Sequence, residues 1–172
     1  MTALVSFDRV FEILDLRPLV AESAAAVTLP PGPVTVEFQQ VGFAYPSADE
    51  VSLRSLETTA MGDRAGGGTV LEEVSFTAYP GQLVALVGPS GAGKSTITSL
   101  VARLYDPSTG VVRIGGVDLR EASFESLHAT VGMVTQEAHL FHDTIRENLR
   151  YAAPAATDEE LRAALDAAQV LG

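Results

Sequence analysis

Apolar residues along this chain follow two kinds of pattern, and the first is typical of strands. A period of two at residues 34–38 predicts a half-buried strand, and residues 70–77 predict a second one. Residues 83–87 are apolar without interruption, as expected of a parallel strand that is buried on both faces. Residues 131–135 predict a further strand, and residues 111–116 predict a small hairpin that turns at two glycines.

The second pattern repeats every three to four residues and predicts helices. Ile97, Leu100, Val101 and Leu104 lie on one face of a helix that begins at Lys94. The other predicted helical segments are residues 4–16, a short turn at 124–129, and a final helix capped by Thr157 with Glu160 three residues later.

Changes in composition divide the chain into three parts. Residues 1–17 predict a connector helix that packs either on a host outside this chain or on its own domain. Residues 18–33 are rich in proline and predict an extended linker. Residues 34–172 form the predicted domain, which is interrupted by a long loop of small and polar residues at 47–69.

A glycine-rich segment between the predicted strand and helix carries the clearest chemical signal. It matches the G-x-x-x-x-G-K-[ST] pattern of a phosphate-binding loop and contains the only lysine of the chain, Lys94. The glycines allow successive N–H groups to face phosphate oxygens, the Lys94 ammonium can reach the β- and γ-phosphates, and the Ser95 hydroxyl can bind Mg²⁺. The segment therefore predicts a site for a nucleoside triphosphate, formed by Gly88, Pro89, Ser90, Gly91, Ala92, Gly93, Lys94, Ser95 and Thr96.

Charge and composition exclude several classes of function. A net charge of −11 argues against nucleic acid as a partner, because binding to phosphate backbones requires clustered Lys and Arg. The lack of cysteine excludes a disulfide framework and a thiolate metal site, and it suits a cytoplasmic setting. No apolar run approaches the ~20 residues that a membrane helix requires.

Several landmarks in a fixed order resemble one protein family. They are Phe43-x-Tyr45-Pro46, the loop at 88–96, Leu104-Tyr105-Asp106-Pro107-x-x-Gly110, Gln136-Glu137, and Leu140-Phe141 followed by residues 144–148. From about residue 34 to residue 169 the chain resembles the nucleotide-binding domain of an exporter-type ABC transporter. The resemblance implies an α/β fold: a P-loop NTPase core of the ABC ATPase type, with an N-terminal antiparallel β subdomain and the start of a helical subdomain.

The resemblance also implies ATP and Mg²⁺ as cofactors and assigns roles to individual residues. Tyr45 occupies the position of the aromatic residue that stacks on adenine. Gln136 matches the glutamine that reaches Mg²⁺ and the attacking water. The implied catalytic residues are therefore Lys94 and Gln136, and the implied metal ligands are Ser95 and Gln136.

The partners implied by the family are membrane-spanning domains of the same transporter and a second nucleotide-binding domain, in a homodimer or a heterodimer. The implied location is the cytoplasmic face of the plasma (inner) membrane. Residues 137–148 match the segment that faces the membrane domains in this family.

The sequence departs from the family pattern in its last part. It contains no Leu-Ser-Gly-Gly-Gln segment, no apolar strand ending in Asp-Glu, and no later switch histidine. We therefore expect a truncated nucleotide-binding domain that binds ATP, has negligible ATPase activity by itself, and is marginally stable or prone to aggregation when isolated. ATP hydrolysis is expected only in the complete protein.

Other functions are compatible with a phosphate-binding loop. One is a truncated nucleotide-binding module that acts without turnover, and another is a soluble ABC ATPase that lacks membrane helices, although the connector-like residues 4–16 argue against the latter. A small kinase would require several basic residues in a lid. A GTPase would require an Asn-Lys-x-Asp base reader, which a chain whose only lysine is Lys94 cannot contain.

Overall fold

The computed structural model of the chain describes residues 11, 14, 18–46, 68–135 and 140–170. These residues divide into two compact units, 1–132 and 133–172. Several predicted features lie outside the described residues: Gln136, most of the helix at 4–16 and most of the loop at 47–69.

The first unit contains both strands and short helices. Its elements are β1 (Val36–Ala44), β2 (Thr69–Ala78), α1 (Lys94–Val101), β3 (Thr109–Ile114), β4 (Val117–Asp118), a 3-10 helix (Leu119–Glu121) and α2 (Phe124–Thr130). The four strands form one antiparallel sheet in the order β2-β1-β3-β4. The predicted strands at 34–38 and 70–77 are therefore confirmed, and so is the hairpin between β3 and β4, where Gly115 and Gly116 both have positive φ.

A bulge in β1 allows one strand to bury three large side chains. The pairing register shifts between Phe38 and Val41, and Gln40 between them has a φ of 47°. Phe38, Val41 and Phe43 are all buried as a result, which a strict period of two would not permit. They form one core with Leu100 of α1 and with residues of β2, β3 and α2.

Helix α1 ends in a turn that usually contains glycine. Arg103 has a φ of 51°, its N–H donates to the Leu100 carbonyl, and the Leu104 N–H donates to the Ser99 carbonyl. This is the hydrogen-bond pattern of the Schellman motif, in which the left-handed residue has a backbone conformation that side chains disfavour. The prediction that Leu104 continues the apolar face of the helix is wrong, because the helix ends at Val101 and Leu104 is exposed.

The Arg103 side chain explains why arginine occupies that position. It is buried, its Nε donates to the Asp106 carboxylate at 3.1 Å, and its guanidinium carbon lies 5.0 Å from the centre of the Phe124 ring. The remaining donors contact the backbone carbonyls of Ala21, Ala122 and Arg120 at 3.0, 3.1 and 3.2 Å. One side chain thus joins the end of α1 to three other segments of the first unit.

The predicted linker is fixed to the first unit by backbone hydrogen bonds. The Val27 N–H donates to the Glu121 carbonyl at 2.7 Å, and the Ser123 N–H donates back to the Val27 carbonyl at 2.9 Å. The Leu29 N–H donates to Ser126 Oγ, and the Leu29 side chain is buried in the core. Residues 27–29 therefore pack against the first unit, and the assignment of residues 18–33 as an extended linker stays a prediction.

Two predicted strands are not formed, the buried parallel strand at residues 83–87 and the further strand at residues 131–135. Residues 83–87 and 131–135 have no strand conformation, and Leu83 and Val134 are fully exposed. A strand requires a neighbour for its N–H and C=O groups, and no strand among the described residues lies beside either segment. The apolar composition of these segments therefore suits a buried strand, but a strand forms only where a neighbouring strand pairs with its backbone.

The second unit contains two helices, α3 (Ile145–Arg150) and α4 (Asp158–Ala167). The predicted capping box at α4 is confirmed, since the Thr157 N–H donates to Glu160 Oε2 at 2.8 Å and the Glu160 N–H donates to Thr157 Oγ1. The Thr157 N–H and the Thr157 hydroxyl both donate to the Glu160 carboxylate, and these two hydrogen bonds lower the pKa of Glu160 below its ordinary value. Arg146 and Arg150 of α3 form ion pairs with Asp158 at 2.9 and 3.3 Å.

Among the residues that the structure describes, every helix is too short or too polar to cross a membrane.

Candidate functional site

The phosphate-loop motif lies between β2 and α1 and curls through two glycines with positive φ. Gly91 and Gly93 have φ values of 80° and 81°. A Cβ atom on Gly93 would lie 2.5 Å from Leu71 Cδ2 and 3.2 Å from the Val70 carbonyl oxygen, both in β2. Gly93 therefore allows the loop to pack against the sheet, whereas Gly91 has free space around it and is needed only for its backbone conformation.

Lys94 is the first residue of α1, as the sequence predicts, and its side chain folds back over the loop. Its Nζ donates to the carbonyl oxygens of Gly88 and Pro89 at 2.8 and 2.6 Å. An ammonium has three N–H donors, so these two neutral acceptors leave one donor for another group. The positive charge is thereby held at the loop itself.

The first turn of α1 presents an unneutralised helix N-terminus. It contains no acidic side chain, and Gly93 at the N-cap provides no side-chain cap. The partial positive charge of the helix N-terminus thus adds to that of Lys94. Ser95 is exposed here, and among the described residues its hydroxyl has no hydrogen-bond partner.

The structure brings Tyr45 to the same helix from the end of β1. The hydroxyl of Tyr45 lies 3.0 Å from Thr96 Oγ1, a residue of α1 that is 51 positions away in the sequence. The Tyr45 ring makes edge contacts with Phe43 at 4.9 Å and with Tyr105 at 5.3 Å between ring centres. Tyr45 is 39% exposed as a whole residue, so part of it remains accessible for contact with another molecule.

The structure brings the loop and Tyr45, both named from the sequence, into one region, and it shows the contacts that connect them. Neither the Tyr45–Thr96 hydrogen bond nor the contact with Tyr105 was foreseen, although Tyr105 belongs to one of the landmark motifs. A contact between residues so far apart in sequence leaves no periodic signal. Gln136 lies outside the described residues, so its assigned position next to the loop stays a prediction.

One carboxylate of the first unit, Asp118, has a perturbed pKa with a structural cause. Burial disfavours its charge, but hydrogen bonds from the Arg120 side chain and backbone, together with the charge of Arg120, outweigh burial and lower the pKa of Asp118. Its side chain also caps the 3-10 helix. Within the described ranges, no group of three or more His, Asp or Glu residues could hold a metal ion.

Comparison with known proteins identifies this arrangement. The sequence profile of the ABC transporter family matches residues 71–171. The chain is 41% identical over 161 residues to the β-(1→2)glucan export ATP-binding/permease protein NdvA of Bradyrhizobium diazoefficiens, covering 94% of this chain and 24% of that protein. It is 36% identical over 168 residues to the ATP-dependent lipid A-core flippase of Desulfotalea psychrophila, covering 98% of this chain and 26% of the flippase.

A solved structure gives the same result for the fold. The chain matches a bacterial Atm1-family ABC exporter with ATP bound, with a TM-score of 0.79 and 34% identity over 98% of this chain and 26% of that one. The chain thus spans about a quarter of the length of these relatives. Its fold is that of an ABC-type P-loop ATPase with an antiparallel β subdomain, and the chain belongs to the ABC transporter family.

Proposed function

We propose that the chain is part of the ATP-binding domain of an ABC exporter and binds MgATP at the loop of residues 88–96. The observation that carries the proposal is the junction at α1. The charged loop, Lys94 and the ring of Tyr45 lie on or beside one short helix. A phosphate cradle and an aromatic platform joined in this way suit a nucleotide, whereas an inorganic phosphate would not use the ring.

The residues of the loop fit the triphosphate. Phosphate oxygens would replace two neutral carbonyls as acceptors for the Lys94 ammonium, and hydrogen bonds to charged acceptors are the stronger ones. Backbone N–H groups of the loop and the N-terminus of α1 would add to the binding of negative charge. The ring of Tyr45 would stack on adenine, a contact of about 1–3 kcal/mol per base in other systems.

Mg²⁺ also fits, through oxygen chemistry. The exposed hydroxyl of Ser95 at the start of α1 is the type of hard oxygen ligand that Mg²⁺ uses together with phosphate oxygens and water. When bound, the ion would neutralise part of the phosphate charge. Gln136 is proposed as its second protein contact on the family resemblance.

The function of the complete protein is proposed from its relatives. Residues 34–172 would belong to a domain that hydrolyses ATP and powers export, with residues 1–17 as a connector to membrane-spanning domains. A second nucleotide-binding domain would complete the site on the cytoplasmic face of the membrane. The largely exposed segments at residues 83–87 and 131–135 are consistent with this proposal, since the longer relatives have further chain that could supply the missing neighbour strands.

The presence of a single lysine permits a direct test. An acyl phosphate derivative of ATP transfers its acyl group to an amine beside the bound phosphates and releases ATP. In this chain the only target amines are Lys94 and the N-terminus. We expect acylation at Lys94, measured by mass spectrometry of arginine-cleaved peptides, and its suppression by excess MgATP.

The control is Lys94→Met, which removes the target amine while preserving a long side chain. Excess AMP should protect Lys94 far less than MgATP, because it lacks the β- and γ-phosphates. Equal labelling of Lys94 and the N-terminal amine, unaffected by MgATP, would contradict the proposal.

A further inference from the structure

Thr96 is a polar residue whose burial needs an explanation. It is 2% exposed, and its hydroxyl lies 3.0 Å from the hydroxyl of Tyr45. A buried hydroxyl without a partner is unfavourable, so this contact is what makes threonine acceptable at a position inside the core. The hydroxyl that pairs with Thr96 belongs to Tyr45, whose ring is proposed to stack on adenine.

The Tyr45 side chain is restrained at both ends. Near its backbone, the Ala44 N–H donates to Ser108 Oγ at 3.1 Å. Along the ring, the edge contacts with Phe43 and Tyr105 limit its tilt. At its tip, the hydrogen bond with Thr96 fixes the hydroxyl to α1, the helix that begins at Lys94.

We infer that Thr96 is a positioning residue that acts through Tyr45. By holding the hydroxyl at the tip of the ring, it prepares the stacking surface before the base arrives and links base recognition to the phosphate loop. This inference rests on the proposed function. Immobilising a free side chain upon binding costs about 0.5–1.5 kcal/mol, so loss of this restraint should weaken ATP binding by about twofold to tenfold.

A simpler role for Thr96 makes a different prediction. If its hydroxyl served only the phosphates, its removal would weaken every ligand with a triphosphate group. If it acts through Tyr45, its removal would weaken ATP, which has a base, and spare inorganic tripolyphosphate, which has none. The two ligands therefore separate the roles.

The test is isothermal titration calorimetry of the full chain with Mg²⁺ and either ATP or tripolyphosphate. Thr96→Val and Tyr45→Phe should each lower the affinity for ATP by about twofold to tenfold while changing the affinity for tripolyphosphate by less than about twofold. The double variant should bind ATP about as well as either single variant, because both remove the same hydrogen bond. Thr96→Ser, which retains a hydroxyl, should restore binding.

Tyr105→Phe is the matched control, since it removes a hydroxyl from the other tyrosine that contacts the ring without touching the Thr96 bond. It should leave the affinity for ATP unchanged. If Thr96→Val fails to fold, Tyr45→Phe at its partly exposed position gives the same test.

Two outcomes would overturn the inference: equal loss of ATP and tripolyphosphate binding, or additive losses in the double variant. Failure of the unaltered chain to bind either ligand would instead refute the proposed function, and the inference with it.

Discussion

Replacement of Arg103 should destabilise the first unit more than replacement of any exposed arginine. The guanidinium is buried, with 2% of the side chain exposed, while the carboxylate of its partner Asp106 is 30% exposed. Three backbone carbonyls that accept hydrogen bonds from Arg103 would lose their donor in Arg103→Ala. The carbonyls of Arg120 and Ala122 belong to the 3-10 helix and its C-terminal cap, and the carbonyl of Ala21 lies before β1. The substitution would therefore loosen the attachment of the residues around Ala21 as well as the end of α1.

The size of the effect follows from these contacts. Breaking a buried charge pair by removing one partner costs about 3–5 kcal/mol. The lower end of this range applies here, because water can solvate the exposed side of Asp106. Arg103→Lys should cost less, about 1–3 kcal/mol, since it keeps the charge, but its compact ammonium cannot span the separated acceptors that the planar guanidinium reaches.

Urea denaturation of the full chain, followed by circular dichroism, measures this difference. The control is Arg113→Gln, which removes a partly exposed ion pair with Glu37 at 3.8 Å and a hydrogen bond to Gln39, and should cost less than about 1 kcal/mol. The reasoning is refuted if Arg103→Ala costs no more free energy of unfolding than Arg113→Gln. It is also refuted if Arg103→Lys is as stable as the unaltered chain.

Two further predictions concern the loop and the last helix. Gly91→Ala and Gly93→Ala impose the same left-handed penalty of about 1–2 kcal/mol. Gly93→Ala should cost about 1–3 kcal/mol more and weaken ATP binding further, because its Cβ would collide with β2. Equal urea midpoints for the two variants would contradict this prediction. Because the pKa of Glu160 is lowered, the ionised Glu160 side chain stabilises α4. This stabilisation is fully present above the ordinary Glu pKa and is lost as the pH falls through the lowered pKa. Helicity measured by circular dichroism should therefore fall more on acidification in the unaltered chain than in Glu160→Gln, and parallel pH profiles of the two proteins would disprove the assignment.

Local patterns predicted those elements whose cause is also local. The capping box at Thr157, the two-glycine hairpin and the start of α1 at Lys94 all depend on residues within a few positions of one another, and all are confirmed. Predictions that depended on distant partners were less successful. Residues 83–87 have the composition of a buried strand, yet no described strand pairs with them.

The sequence by itself determined the glycine-rich loop motif and the family, because the order and spacing of residues such as Gly88 and Lys94 carry that information without any contact. Only the tertiary structure decided how the loop is joined to Tyr45, why an arginine occupies a left-handed position at residue 103, and that residues 21–29 contact the first unit. Each of these features is a contact between residues far apart along the chain. Such contacts arise from packing and from the pairing of buried polar groups, which no periodicity records.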